Sequence, residues 1–140
     1  MSEYQTPRTP NDQIEGMAYF PRLCEKVRLH AQDLLHPDYH GNLGGGFDLW
    51  TCQFLQVDYG PLSEIILGGA SDEEALEWAL NKGVRPSELE VTWWNSYMRN
   101  RGFRDDLAEL LTNRKAESGF QDRDEIATLF DYIDADEGRL

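Results

Sequence analysis

An all-α fold follows from three observations in this chain of 140 residues. Apolar residues recur at i, i+3, i+4 and i+7 through most of it. Helix start and stop residues flank nearly every such stretch. No segment keeps the apolar–polar alternation that a half-buried strand needs. Together these predict a single helical domain over residues 16–140, a bundle of about six helices, four longer and two short. An irregular, extended leader over 1–15 precedes it, because Pro7 and Pro10 forbid a helix there.

The elements follow in order. Pro21 suits a first helical turn, and Phe20, Leu23, Cys24, Val27, Ala31, Leu34 and Leu35 share one face until Pro37 stops the helix. The turn Gly41–Phe47 leads to a short helix over Leu49–Leu55, with Asp48 as its expected N-cap. A second short helix runs from Pro61 to Leu67 and ends at Gly68 and Gly69. Ser71 and Glu74 form a capping box for a helix reaching Lys82, where Gly83 ends it. Ser87 to Asn100 is the next helix, carrying Leu89, Trp93, Trp94, Tyr97 and Met98 on one side. Another is expected from about Arg104 to Glu117, with Leu107, Leu110 and Leu111 inward. The last is expected from about Asp122 to Asp134, capped by Asp122 and Glu125 and repeating Ile126, Leu129, Phe130 and Ile133.

Composition narrows the partners. The formal net charge of −13 disfavours nucleic-acid phosphates and anionic membrane surfaces, which need basic protein surface. No apolar run is long enough for a transmembrane helix, and the polar start MSEYQTPRTPND lacks a signal-peptide core, so a cytoplasmic location is expected. Cys24 and Cys52 have no metal-type spacing and are expected to be reduced core thiols. No cofactor is expected, and the oligomeric state is left open.

One segment departs from this acidity. Trp93 to Arg104 holds Arg99, Arg101 and Arg104 beside four aromatic residues. Arginine suits paired recognition of carboxylates and stacking on rings. The candidate ligand surface is Arg22, Trp94, Asn95, Arg99 and Arg104: Trp94 as a pocket wall, Asn95 as a neutral donor and acceptor, an arginine as the anion holder. The competing expectation is a structural ion-pair knot, with Arg99 and Arg104 paired to carboxylates such as Asp105 and Asp106. His30, His36 and His40, with Asp33 or Asp38, form a second candidate for a metal-dependent or other enzyme. Pro37 breaks the helix that would align the histidines, so no metal is expected. Gly44, Gly45 and Gly46 precede a helix start, but no Lys-Ser/Thr pair follows, and Asp48 would repel a phosphate. Three function classes stay open: a non-catalytic module binding a small ligand or protein partner, an enzyme using the histidine region, and a structural or oligomerising protein.

Several stretches together resemble a family of small, mostly bacterial, stand-alone proteins catalogued as a domain of unknown function. They include YFPRLCEKVRLHA at 19–31, GFD at 46–48, CQFLQVDY at 52–59, GGASDEEALEW at 68–78, RGFRDD at 101–106 and FDYIDADEGRL at 130–140. The resemblance spans nearly the whole chain and implies a stand-alone domain. It implies no activity for any residue.

Overall fold

The structure, a computed structural model, describes residues 3–140; Met1 and Ser2 of the expected leader lie outside it. Seven α-helices dominate the described residues: α1 (Phe20–Ala31), α2 (Phe47–Leu55), α3 (Tyr59–Leu67), α4 (Asp72–Lys82), α5 (Glu88–Asn100), α6 (Ala108–Glu117) and α7 (Leu129–Asp136). A 3-10 turn over Pro37–Asn42 separates α1 from α2. The helical class is as expected, and the seven helices correspond to the seven stretches placed along the sequence, one above the overall total of about six; a small antiparallel hairpin, β1 (Gln13–Ile14) with β2 (Met17–Ala18), was not expected. Each strand has two residues, too few to display an alternating pattern.

The hairpin is held from outside. Asn95 in α5 accepts from the Ala18 amide at 3.0 Å and donates to the Gly16 carbonyl at 2.6 Å. One side chain thereby satisfies two main-chain groups at the hairpin end. Further upstream, the Arg22 guanidinium donates to the Arg8 carbonyl at 2.9 Å, and Thr9 and Asn11 both donate to Asp134 at 3.0 Å. The segment before α1 is therefore stitched to α1 and α7.

The main core gathers Phe20, Leu23, Cys24 and Val27 of α1, Cys52 and Leu55 of α2, Leu62 and Ile66 of α3, Ala75, Leu76 and Ala79 of α4, Trp94 and Met98 of α5, and Phe130 of α7. A smaller cluster joins Leu111 of α6 to Ile126, Leu129 and Ala135, and Phe47 packs against both clusters. Burial of this kind contributes about 1.5–3 kcal/mol for each large apolar side chain before chain entropy is subtracted.

α3 begins at Tyr59, two residues ahead of its expected start at Pro61, and four other boundaries differ from expectation for identifiable reasons. α1 stops at Ala31 because Asp33 takes φ 57° and the Leu34 amide turns back to the Leu29 carbonyl. α6 begins four residues late because the Asp105 carboxylate accepts from the Gly102 and Leu107 amides, holding those residues in a turn. α7 begins at Leu129, capped by Thr128, whose hydroxyl accepts from the Asp131 amide at 3.1 Å. Ile126 is buried all the same, from a turn that Lys115 secures by donating to the Arg123 and Ile126 carbonyls at 2.8 and 2.9 Å. Asp48 is not the cap of α2; it lies inside the first turn, with Gly46 in the cap position. The capping boxes at Ser71–Glu74 and Ser87–Glu90 are both present.

Candidate functional site

The chemistry concentrates on one shoulder of α1. Tyr19, Arg22 and Lys26 follow one another at i, i+3 and i+7, beside the apolar face that enters the core. All three are buried. Tyr19 has φ 76° at the cap of α1, a backbone region costing about 1–3 kcal/mol for a non-glycine residue. That turn brings its phenol inward beside the Lys26 amine.

Two carboxylates meet this shoulder from opposite sides. From α2, Asp48 accepts from the Tyr19 hydroxyl at 2.6 Å and pairs with Lys26 Nζ at 2.9 Å, while Lys26 Nζ also donates to the Tyr19 oxygen at 3.1 Å. Lysine, phenol and carboxylate thus form a closed triangle. The other Asp48 oxygen accepts from the Gly44 amide at 3.1 Å. The glycine loop therefore holds the chain's own carboxylate. Gly44 takes φ +74°, and a Cβ there would meet the Tyr59 ring at 2.9 Å.

Just beyond the end of α7, Glu137 receives both Arg22 nitrogens at 2.8 Å, the planar two-point pairing that guanidinium favours. Tyr39 donates to the same carboxylate at 2.7 Å, and Arg139 adds a contact at 2.5 Å. Arg22 Nε is buried and makes no hydrogen bond, so this cluster keeps one donor unspent.

Burial sets the protonation of the group. It pushes the Tyr19 phenol well above its ordinary value, and the Asp48 charge adds to the rise. The same desolvation lowers Lys26, against the opposing pull of Asp48. Burial works to raise Glu137, but the hydrogen bonds and charge of Arg22 outweigh it and hold the carboxyl below the usual glutamate range. Outside the triangle, burial pushes the Cys52 thiol up to about 12, which makes it an inert core thiol at neutral pH.

The cluster opens onto a cavity of about 960 Å³. Tyr19, Arg22, Lys26 and Glu137 line its buried end, Phe47, Trp50, Tyr39 and Tyr132 supply aromatic walls, and Leu110, Arg114 and His36 stand at the exposed rim. Small-molecule sites typically measure about 300–1,000 Å³ with apolar walls and a few convergent polar groups.

The five residues of the candidate ligand surface are not brought together. Only Arg22 lines this cavity. Trp94 is buried and stacks on Phe54 with ring centres 4.5 Å apart, and Asn95 holds the hairpin. Arg99 and Arg104 are exposed, and among the described residues neither forms an ion pair, contrary to the expected knot. The arginine that pairs is Arg101, at 2.9 Å from Asp105 and 2.7 Å from Asp106, with its guanidinium 5.0 Å from the Trp50 ring centre and 4.9 Å from that of Tyr97. The chain puts Arg101, not its neighbours, in the corner because Asp105 folds back onto the Gly102 amide.

Among the histidines, His30 and His40 meet edge to face with ring centres 4.6 Å apart, while His36 accepts from the Asp38 amide at 3.1 Å. Among the described residues no three His, Cys, Asp or Glu side chains converge as metal ligands would. None of the described helices is long and apolar enough to cross a membrane.

Tyr19, Lys26 and Glu137 were not among the residues singled out from sequence, and Asp48 was read only as a helix cap that would repel a phosphate. One signal was available: the chain has only three lysines, and Lys26 falls amid the apolar positions of α1. The pairings of Glu137 and Asp48 carried no local mark, since their cationic partners lie 115 and 22 positions away.

The fold and cavity define a small helical protein with a lysine–tyrosine–aspartate triangle at the end of an aromatic-walled pocket. The chain belongs to the family described as Domain of unknown function (DUF5069), which it matches over residues 4–139. Among curated proteins, none matches it significantly.

Proposed function

We propose that this protein binds a small molecule with an aromatic or apolar body and a polar head. The head lies against Lys26, Tyr19 and Arg22, and the body lies between Phe47, Trp50 and Tyr132. The carrying observation is the placement of buried, charge-paired groups along one end of an aromatic-walled cavity of about 960 Å³. A purely structural salt bridge would not need such a space beside it, and hydrophobic replacement of buried pairs is often neutral for stability. The low net cost of aromatic walls and a preformed polar end suits a neutral or singly charged ligand.

Anisyl alcohol, a compact aromatic ring with one hydroxyl, tests the reading. Ligand-observed NMR is expected to show saturable binding to the wild-type protein, and Leu110→Trp, which fills the rim, is expected to abolish it while leaving the thermal melt within a few degrees. Equal signals from both proteins, or none from the wild type, would reject the pocket.

A further inference from the structure

We propose that Lys26 captures a small aldehyde or ketone as an imine, with Tyr19 and Asp48 moving the protons. The proposal rests on the cavity being a ligand site and names the chemistry at its buried end. The chain has ten arginines and three lysines. An arginine in place of Lys26 would keep a cation on Asp48 and offer more donors, but only a primary amine can become a nucleophile at neutral pH. Lys82 is exposed, and the Lys115 amine is spent on two main-chain carbonyls at 2.8 and 2.9 Å. Lys26 alone joins a phenol at 3.1 Å and a carboxylate at 2.9 Å beside a space that a substrate could fill.

The step balances without an oxidant or reductant. The Lys26 ammonium gives one proton to Asp48, and the freed lone pair forms a bond from Nζ to the carbonyl carbon. The carbonyl oxygen takes a proton from Tyr19, which recovers one from the nitrogen. Asp48 then returns its proton to the new hydroxyl, the C–O bond breaks, water leaves, and a protonated imine remains. Burial supports each role: it keeps Tyr19 a neutral donor and favours the uncharged amine. The strained φ of 76° at Tyr19 is consistent with a residue held for chemistry. The aromatic walls select carbonyl compounds with a flat apolar body, such as an aryl aldehyde.

Anisaldehyde with sodium cyanoborohydride at neutral pH reads the proposal directly, since reduction fixes the imine and peptide mapping locates it. Modification is expected at Lys26 about tenfold faster than at Lys82 or Lys115. Lys26→Arg, which preserves the pair with Asp48, is expected to remove that adduct while slow trapping at Lys82 and Lys115 continues as in the wild type. Tyr19→Phe is expected to slow trapping at Lys26 by about a hundredfold at saturating aldehyde, in line with loss of a positioned proton donor, while the slow background at Lys82 and Lys115 does not change. Trapping spread evenly over the three lysines, or unaffected by Tyr19→Phe, would overturn the proposal. Binding of anisyl alcohol without any Lys26 adduct would overturn it too and leave the pocket reading standing, whereas loss of both would reject the pocket itself.

Discussion

Arg22 and Glu137 illustrate how far single side chains depend on each other in this fold. Their side chains are 5% and 4% exposed, so neither charge has water to fall back on. Arg22→Ala is expected to cost about 1.5–3 kcal/mol, measured by denaturant unfolding, because it takes the two-point charged pair from a buried carboxylate and leaves it with Tyr39 and Arg139 alone. The pH dependence has a definite sign. The folded-state pKa of Glu137 is depressed from an ordinary value of 4.5, so its contribution is fully present above that value and is lost as pH falls through the folded value. Glu137→Gln is expected to flatten the acid limb of a stability–pH profile; an acid limb identical to wild type would show that other carboxylates carry it. At the same scale, Arg99→Ala is expected to leave the melt within about 0.5 kcal/mol of wild type, as for an unpaired surface residue. Arg101→Ala, which removes charged hydrogen bonds and two ring contacts, is expected to cost about 1.5–3 kcal/mol. Parity between the two variants would contradict the assignment of Arg101 as the corner residue.

At the scale of elements, the helices were legible where their ends are marked by local chemistry. Ser71–Glu74 and the glycines after α3 and α4 fixed their boundaries because the capping partners lie within three or four residues. α6 and α7 were misplaced because the deciding contacts are not periodic. Asp105 turns its carboxylate back onto amides, and Lys115 reaches across from α6 to hold the turn ahead of α7. Apolar spacing through Ile126, Leu129 and Phe130 could not separate a buried turn from a buried helix. The hairpin is a case of a side chain on one element defining another. Asn95→Ala removes the acceptor of the Ala18 amide and the donor to Gly16, and is expected to cost about 1–3 kcal/mol, with faster hydrogen exchange at Ala18 as the specific readout. Gly83, at the end of α4, lies so close to the Leu55 carbonyl that a Cβ would collide with main chain. The adjacent Val84 amide donates to that same carbonyl at 2.9 Å. Gly83→Ala is therefore expected to lower the melting temperature by forcing α2 and α4 apart, as a small-to-large change against a backbone costing about 1–3 kcal/mol.

For the whole molecule, the candidate site was the least legible feature. The contrast of arginine against an acidic background drew attention to Trp93–Arg104, but charge contrast marks where cations are frequent, and burial marks where one matters. Of the five residues of the candidate ligand surface Arg22 alone reaches the cavity, while His36 and Asp38 of the histidine region reach only its exposed rim; Arg22 does so with Lys26 and Tyr19, which looked like ordinary polar positions of an amphipathic helix. Their significance comes from Asp48 and Glu137, delivered by α2 and by the turn after α7. Such long-range convergence leaves no mark in local spacing. The exposed Leu89 and Trp93 on α5, 56% and 61% accessible, lie outside the cavity and make no contribution to it.

Trp50 connects these scales. Its indole forms part of the cavity wall, meets Phe47 edge to face at 5.2 Å and lies against the Arg101 guanidinium. Trp78, Trp93 and Trp94, the other indoles of the chain, are outside the cavity lining. The protein thus contains its own optical gauge of occupancy: a guest against Trp50 changes the polarity around one fluorophore whose cationic neighbour stays fixed by Asp105 and Asp106. Titration with anisyl alcohol is expected to shift the emission of the wild type, and Trp50→Phe is expected to silence that shift while the remaining three indoles go on emitting as before.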